Sequence, residues 1–363
     1  MEYVAYLVFG FTAIQLGVAL VNLVFRQEWR HHKLTHKPTV SVLIPARNEA
    51  HNIGNLLNDL LLQDYEPLEI LVFNDQSTDH TANIVSSFSK LHPHIQLLHS
   101  QGLPKGWLGK NFACYSLSQH AKGDYFLFLD ADVRLSQQAI SQAVAIFQQQ
   151  KVSLLSVFSV QEMKSVGERM TVPVMNFILL TLLPLFLIRK SPFSSLAAAN
   201  GQFMMFDAPT YNAIIPHEKL KACKVEDIEI ARLFKRRQLP VACIMGSRAI
   251  RCRMYTTYRE AVHGFAKNIK SFFGGSWFVT LLFWLMTSLG FISIVVYLNN
   301  VLIIIYLMMI LLMRMVVSVI SRQNIILNLV YLLPQQWAMG EFIVQAFKNT
   351  LQKKELWKGR NIS

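Results

Sequence analysis

Between Thr39 and about Phe158 strand and helix patterns alternate, and that order leaves few folds open to the chain. Val40 to Ile44 is rich in β-branched residues and is ended by Pro45; Ile53, Leu56, Leu57, Leu60 and Leu61 then recur at helical spacing. Ile70 to Phe73 predicts a second strand, and Ile84, Val85 and Phe88 mark one face of a helix that Asp79 can cap. Ile95 to Leu98 predicts a third strand, Asn111 to Lys122 a helix that Gly123 can end, and Tyr125 to Leu129 a fourth strand. A β-α-β-α-β-α-β order argues for an α/β fold, a mostly parallel sheet with helices on both faces.

The last of these strands runs straight into Asp130-Ala131-Asp132. Ligands of open α/β sheets gather at the carboxyl ends of strands, so these carboxylates stand where a ligand is expected. Two carboxylates so close repel unless a cation neutralises them, and hard oxygen donors suit Mg²⁺ or Mn²⁺ carried on a diphosphate. The plain alternative is a solvated acidic turn.

Hydrophobic residues make up 52% of the 363, too many for an ordinary soluble enzyme, and they concentrate at the ends. Tyr3 to Phe25 carries no formal charge, is long enough to span a bilayer, and lacks a small-residue cleavage site, which makes 1–26 an expected anchor. Trp277 to Leu298 and Val301 to Ile320 are two further expected spans; Asn324 to Phe347 is weaker, because Pro334, Gln335, Gln336 and Glu341 interrupt it. Arg26, Arg30, Lys33 and Lys37, then Arg322 and the run from Lys348 to Arg360, belong on the cytoplasmic side by the positive-inside rule. A cytoplasmic basic tail (348–363) requires three full spans, with the last apolar segment re-entrant or interfacial. The expected layout is a multi-pass protein of the cell membrane with a cytoplasmic domain over 38–270 and a membrane region over 276–347. Thr171 to Ile188, short and broken by Pro173 and Pro184, is expected to lie in the interface rather than cross.

The net charge of +13 fits an anionic membrane surface and phosphorylated substrates. No basic helix interleaved with exposed aromatics appears, so nucleic acid is not an expected partner. Cys114, Cys223, Cys243 and Cys252 lack C-x-x-C spacing, which leaves a zinc site or disulfide framework unsupported. A transporter would need polar groups inside the spans; only Arg314 and Glu341 qualify, and both are expected to snorkel.

Asp75 follows the second strand and can accept from a base N–H, or simply belong to a turn. Lys110 ends a glycine-punctuated loop at a helix start, where free N–H groups favour phosphate, although the spacing is not that of a Walker loop. Glu226-Asp227 supplies a candidate base with a neighbour able to raise its pKa; acidic residues also suit a helix N-terminus. Arg259 or His263 is a further candidate to close over a diphosphate, beside a headgroup role for the basic stretch.

Val42-Leu43-Ile44-Pro45-Ala46-Arg47-Asn48-Glu49, the Asp75 turn, Asp130-Ala131-Asp132 and Glu226-Asp227, in this order, resemble the family 2 glycosyltransferases. The resemblance implies the GT-A nucleotide-sugar fold over roughly Thr39 to Lys270. It places Pro45, Arg47 and Glu49 beside the nucleotide, Asp75 at the base, Asp130 and Asp132 at the diphosphate and metal, and makes Asp227 the general base. Gln76 stands where the family usually has glycine. The Gln-x-x-Arg-Trp signature of processive synthases is absent from Arg253 to Arg259, which implies a single transfer rather than polymer growth, and the family resemblance implies that the transfer inverts.

Gly106-Trp107-Leu108-Gly109-Lys110-Asn111-Phe112-Ala113-Cys114 and Trp357-Lys358-Gly359-Arg360 resemble bacterial carotenoid and hopanoid members of that family. That likeness implies a UDP-sugar donor, glucose first among sugars, and a lipid acceptor such as a carotenoid acid. A hopanoid, a diacylglycerol or a polyprenyl phosphate are the alternative acceptors, and a non-catalytic nucleotide-sugar-binding subunit the alternative role. With a carboxylate acceptor, already ionised, Asp227 has positioning rather than deprotonation to do.

Overall fold

The computed structural model describes residues 2–30, 32–352, 356–357 and 360–361. Lys358 and Gly359 of the terminal motif, and most of the tail beyond 352, lie outside them. The chain divides into two compact units: Gln27–Val160 with Leu187–Cys252, and Met1–Arg26 with Gln161–Phe186 and Arg253–Ser363. The expected domain over 38–270 is therefore interrupted. Residues 161–186 and 253–270, which are mostly helical, group with the second unit.

The first unit is built on a seven-stranded sheet. Its strands are β1 (Val40–Ala46), β2 (Leu68–Asn74), β3 (Ile95–His99), β4 (Tyr125–Leu129), β6 (Leu154–Phe158), β7 (Phe203–Asp207) and β8 (Val241–Met245). β5 (Val133–Leu135) and β9 (Ile250–Cys252) pair separately, antiparallel. In the main sheet the order is β3-β2-β1-β4-β7-β6-β8, parallel except that β7 runs against both β4 and β6. β7 has no counterpart in the expected pattern: Phe203-Met204-Met205-Phe206 is a short apolar run without alternation, which periodicity alone does not assign to a strand.

β1 is wholly enclosed apart from Pro45, and its continuous apolar run follows from burial on both faces. It pairs with β2 on one side and β4 on the other, so the chain steps outward to β3 and then returns across β1. Such a switch opens a crevice at the carboxyl ends of the two strands. Helices α2 (Ile53–Leu61), α3 (Thr81–Leu91), α4 (Gly109–His120) and α5 (Ala139–Gln150) make the connections. α2 lays Ile53, Leu56, Leu57 and Leu60 against the core formed by β1, β2 and β4. Asp59 on α2 receives Arg134 Nε and Nη2 at 2.6 and 2.8 Å and Leu135 N at 3.0 Å, fastening β5 just beyond Asp132.

In the second unit, α1 (Glu2–Val24) and α10 (Asn300–Ile320) are long and apolar enough to cross a membrane. The expected span from Trp277 is broken: α8 (Trp277–Ser288) and α9 (Gly290–Tyr297) meet at 46°. Glycine is required at the break, since a Cβ on Gly290 would lie 2.7 Å from the Val8 side chain of α1. The segment over 171–188 holds α6 (Pro173–Leu182), too short to cross and tied to α1. Asn22 Nδ2 donates to Leu180 O and Leu183 O at 3.0 and 2.9 Å, and Leu185 N returns a bond of 2.7 Å to Asn22 Oδ1. These bonds serve carbonyls that the helix end cannot satisfy itself.

α11 (Leu332–Gln352) carries the polar residues that weakened the last apolar segment. The expectation that Arg314 snorkels is corrected. Its side chain points inward, 4% exposed, because Gln335 and the ring of Phe177 receive it. Glu341 stays half-exposed and accepts from Trp337 Nε1 at 2.8 Å.

Candidate functional site

β1, β2 and β4 are adjacent and parallel, so their carboxyl ends set Arg47, Asp75 and Asp130 along one edge of the sheet. Asp75 is 2% exposed and its N–H donates to Ala46 O at 2.8 Å. Arg47 Nη1 donates to the carbonyls of Asp75 and Gln76 at 2.6 and 3.2 Å, tying the turn after β2 to the end of β1. Gln76 has φ of 53°, in the left-handed region that favours glycine, the residue the family usually has at this position.

Glu49 braces the same turn, its N–H bonding Thr81 Oγ1 at 2.8 Å and its carboxylate accepting from Asn52 Nδ2 at 2.8 Å. Asp79 lies one position before the helix cap, His80, yet it accepts from Thr81 N at 3.0 Å and from Ala50 N at 3.0 Å. Burial opposes its charge, but the bonds from Thr81 and Ala50 outweigh that and hold it below the usual carboxylate range.

A charged cluster lies at the end of β4. Lys110 Nζ is 2.8 Å from Asp130 Oδ1 and 3.4 Å from Glu226 Oε1. Glu226 and Asp227 open helix α7 (Glu226–Arg236). Asp227 Oδ2 accepts from Gly201 N at 3.1 Å and its Oδ1 from Ile228 N at 2.8 Å. Gly201 is a close approach: a Cβ there would lie 3.0 Å from Lys110 Nζ and 3.7 Å from Asp227 Cβ.

Burial pushes Glu226 up to about 7, with Lys110 opposing and Asp227 adding to the rise. Burial raises Asp227 as well, again against Lys110, so the two carboxyls titrate as a pair. Lys110 itself loses charge stability to burial but is held well above the lysine range by Asp130 and Glu226.

Lys110, Asp130 and Glu226 line a small pocket with Pro45, Gly201 and His217. His217 Nδ1 lies 2.6 Å from Tyr211 Oη and its ring packs on Phe128; burial lowers its pKa to about 3, so it is neutral at physiological pH. Neither His217 nor Gly201 was expected from the sequence. The contact that joins two remote segments is carried by Asn111, whose Nδ2 donates to Leu220 O and Cys223 O at 2.8 and 2.9 Å. Leu108 N adds a bond of 2.8 Å to Lys221 O, and these tethers set Lys110 against Glu226.

Among the described residues no three His, Cys, Asp or Glu side chains form a ready metal cage. Asp130 and Asp132 present two hard carboxylates separated by the buried Ala131. That donor set would suit a hard divalent cation such as Mg²⁺ or Mn²⁺. Arg259 and His263 lie on the helix Tyr258–Ala266 of the second unit.

Residues 41–214 match the family described as Glycosyl transferase family 2. The chain carries a glycosyltransferase family 2 domain. It is similar to 4,4'-diaponeurosporenoate glycosyltransferase of Staphylococcus haemolyticus, 26% identical over 64% of this chain and 61% of that protein. The protein of the same name from Staphylococcus aureus strain USA300 is 27% identical over 72% of this chain and 70% of its own length. The chain thus spans less than two thirds of the first relative. Among solved structures, a mannosyltransferase of Pyrobaculum calidifontis, in complex with GDP-Man and Mn2+, superposes with a TM-score of 0.58 at 16% identity. The alignment covers 98% of this chain and 99% of that one, and the shared fold is GT-A with a mostly parallel sheet. The domain is that of a glycosyltransferase, and the helices at both ends of the chain are apolar enough to span a membrane.

Proposed function

We propose that this enzyme is a membrane-bound, inverting glycosyltransferase that moves a sugar, glucose first among candidates, from a UDP-sugar to a lipid acceptor. A carotenoid acid is the favoured acceptor because the relatives in Staphylococcus are named for diaponeurosporenoate. The observation that carries the reading is the convergence of Asp130, Lys110, Glu226 and Asp227 near the carboxyl end of β4, where the strand order reverses between β1 and β4.

In this reading Pro45, Arg47 and Glu49 shape the nucleotide side of the crevice, and Asp75 receives the base. Asp130 and Asp132 would hold Mg²⁺ or Mn²⁺, as suits a fold whose mannosyltransferase neighbour was solved with Mn2+. When bound, that ion neutralises charge on the departing diphosphate. Lys110 supplies a second positive charge on the same side and bridges to the Glu226–Asp227 pair. Asp227 takes the proton of a hydroxyl acceptor, or orients a carboxylate that is already ionised. The acceptor oxygen bonds to the anomeric carbon as the bond from that carbon to UDP breaks, and UDP leaves with the electron pair. α1, the α8–α9 pair and α10 anchor the protein in the cell membrane with the GT-A domain on the cytoplasmic face, where the basic residues beyond α1 and α10 meet the phospholipid surface.

The test is UDP release by purified protein in detergent, with a panel of UDP-sugars, Mn²⁺, and an extracted pigment or lipid fraction. Release that needs both metal and lipid supports the reading. Asp132→Ala should abolish it, and Asp227→Asn should keep UDP-sugar binding while transfer to a hydroxyl acceptor falls by at least about a hundredfold. Binding without release in the wild type would instead indicate a nucleotide-sugar-binding subunit.

A further inference from the structure

Arg314 lies within α10, one of the two helices able to span a membrane, and is 4% exposed. Its Nη1 donates to Gln335 Oε1 at 3.0 Å, and the guanidinium carbon stands 3.8 Å above the ring of Phe177. Both partners are neutral. Among the described residues no carboxylate pairs with it, and its Nε is buried without a hydrogen-bond partner. A positive charge enclosed in an apolar bundle is strongly unfavourable unless an anion meets it.

The surroundings extend the imbalance. Gln335 Nε2 donates to Arg169 O and Asn328 Oδ1, and Asn328 Nδ2 donates to Ser318 Oγ and Gln323 Oε1. Gln323 Nε2 and Arg169 Nε are buried without partners as well. Every unsatisfied atom of this network is therefore a donor, so what the network lacks is an acceptor carrying negative charge. On the same helix Leu311, Leu312 and Met315 remain exposed, which gives an apolar chain a surface to lie along.

We propose that Arg314, with Gln335 and Phe177, is a binding site for the anionic head of a lipid, a carboxylate or phosphate whose apolar tail lies against α10. The inference rests on the membrane placement proposed above, and its test reads binding, so a failure to transfer sugar leaves it standing.

Delipidated wild-type protein in a neutral maltoside is melted with dodecyl phosphate, dodecanoate or dodecanol. At about a hundredfold excess over Kd the two anions should raise Tm by roughly 3–6 °C, with dodecanol far below them. Arg314→Gln should lose the difference between anion and alcohol, and Arg314→Lys should keep part of it. Should Arg314→Gln fail to fold, Gln335→Glu is the second variant. It places a carboxylate beside Arg314, and should raise the ligand-free Tm and abolish the response to anions.

Equal stabilisation of the wild type by dodecanol, or a full anion response in Arg314→Gln, would overturn the proposal. Nanodiscs with and without phosphatidylglycerol then identify the source. Phosphatidylglycerol that abolishes the dodecanoate response marks a site for bulk anionic lipid; a dodecanoate response that persists marks a site for a carboxylate acceptor. Either result supports the site.

Discussion

Replacing Lys110 by methionine removes the cation that pairs with Asp130 and Glu226 and should move the acid limb of the pH–rate profile upward. Its Nζ lies 3.4 Å from Glu226 Oε1. At that distance two unit charges interact by about 1 kcal/mol in water and about 5 kcal/mol at an effective dielectric of 20. Since about 1.4 kcal/mol corresponds to one pH unit, the bracket is roughly 1 to 3.5 units. The side chains of Lys110 and Glu226 are 25% and 11% exposed, so solvent screening favours the lower half of that range.

Glu226 starts from about 7 and shares its titration with Asp227, which works in the ionised form. With a hydroxyl acceptor, transfer by the wild type should therefore rise with pH through neutrality, and K110M should need a medium about 1–2 units more alkaline to reach half its own maximum. Glu226→Gln removes the like charge and should shift the limb the other way. The assay is the initial rate of UDP release with saturating donor and acceptor over roughly pH 5 to 9, taken relative to each variant's plateau. A limb in K110M that stays in place or moves to lower pH would refute the electrostatic argument, whatever happens to the plateau. The same shift has a stability consequence. Folded Glu226 holds its proton to about 7, above the ordinary carboxylate value of 4.5, so its contribution is complete below about 4.5 and is lost as pH rises through 7.

Gly201→Ala places a methyl 3.0 Å from Lys110 Nζ, and should lower kcat/KM by roughly tenfold while UDP binding measured by calorimetry is retained; Gly201→Val should do worse. Asp59→Ala removes three hydrogen bonds that hold Arg134 and Leu135, and should lower unfolding free energy by about 2–4 kcal/mol in urea titration, with transfer reduced because β5 follows Asp132 directly. An Asp59→Ala protein of unchanged stability would show that β5 is held by its pairing with β9 alone.

The first four strands and the helices between them were legible because local pattern and tertiary role agree there. Val40 to Ile44 and Tyr125 to Leu129 are apolar runs that become central strands, and each ends beside a polar residue at the crevice. The middle of the chain was not legible. β7 enters the sheet antiparallel between β4 and β6, and only the pairing of Phe203 with Leu129 and of Phe206 with Leu154 assigns it a place. His217 looks like any loop histidine until Tyr211 and Phe128 enclose it. Arg314 misled for a related reason: spacing along a helix says how far a residue is from the end, but not that Phe177 and Gln335 wait on the inward side.

By itself the sequence determined the α/β class, the carboxyl-end positions of Asp75, Asp130 and Asp132, and the apolar lengths of α1 and α10. These depend on periodicity and on residues within a few positions of one another. Tertiary structure alone decided that Lys110 meets Glu226, that Gly201 leaves the room between Lys110 and Asp227, and that Arg314 is enclosed. Those facts rest on contacts between segments far apart in the chain, such as the bonds from Asn111 to Leu220 and Cys223, which no local pattern encodes.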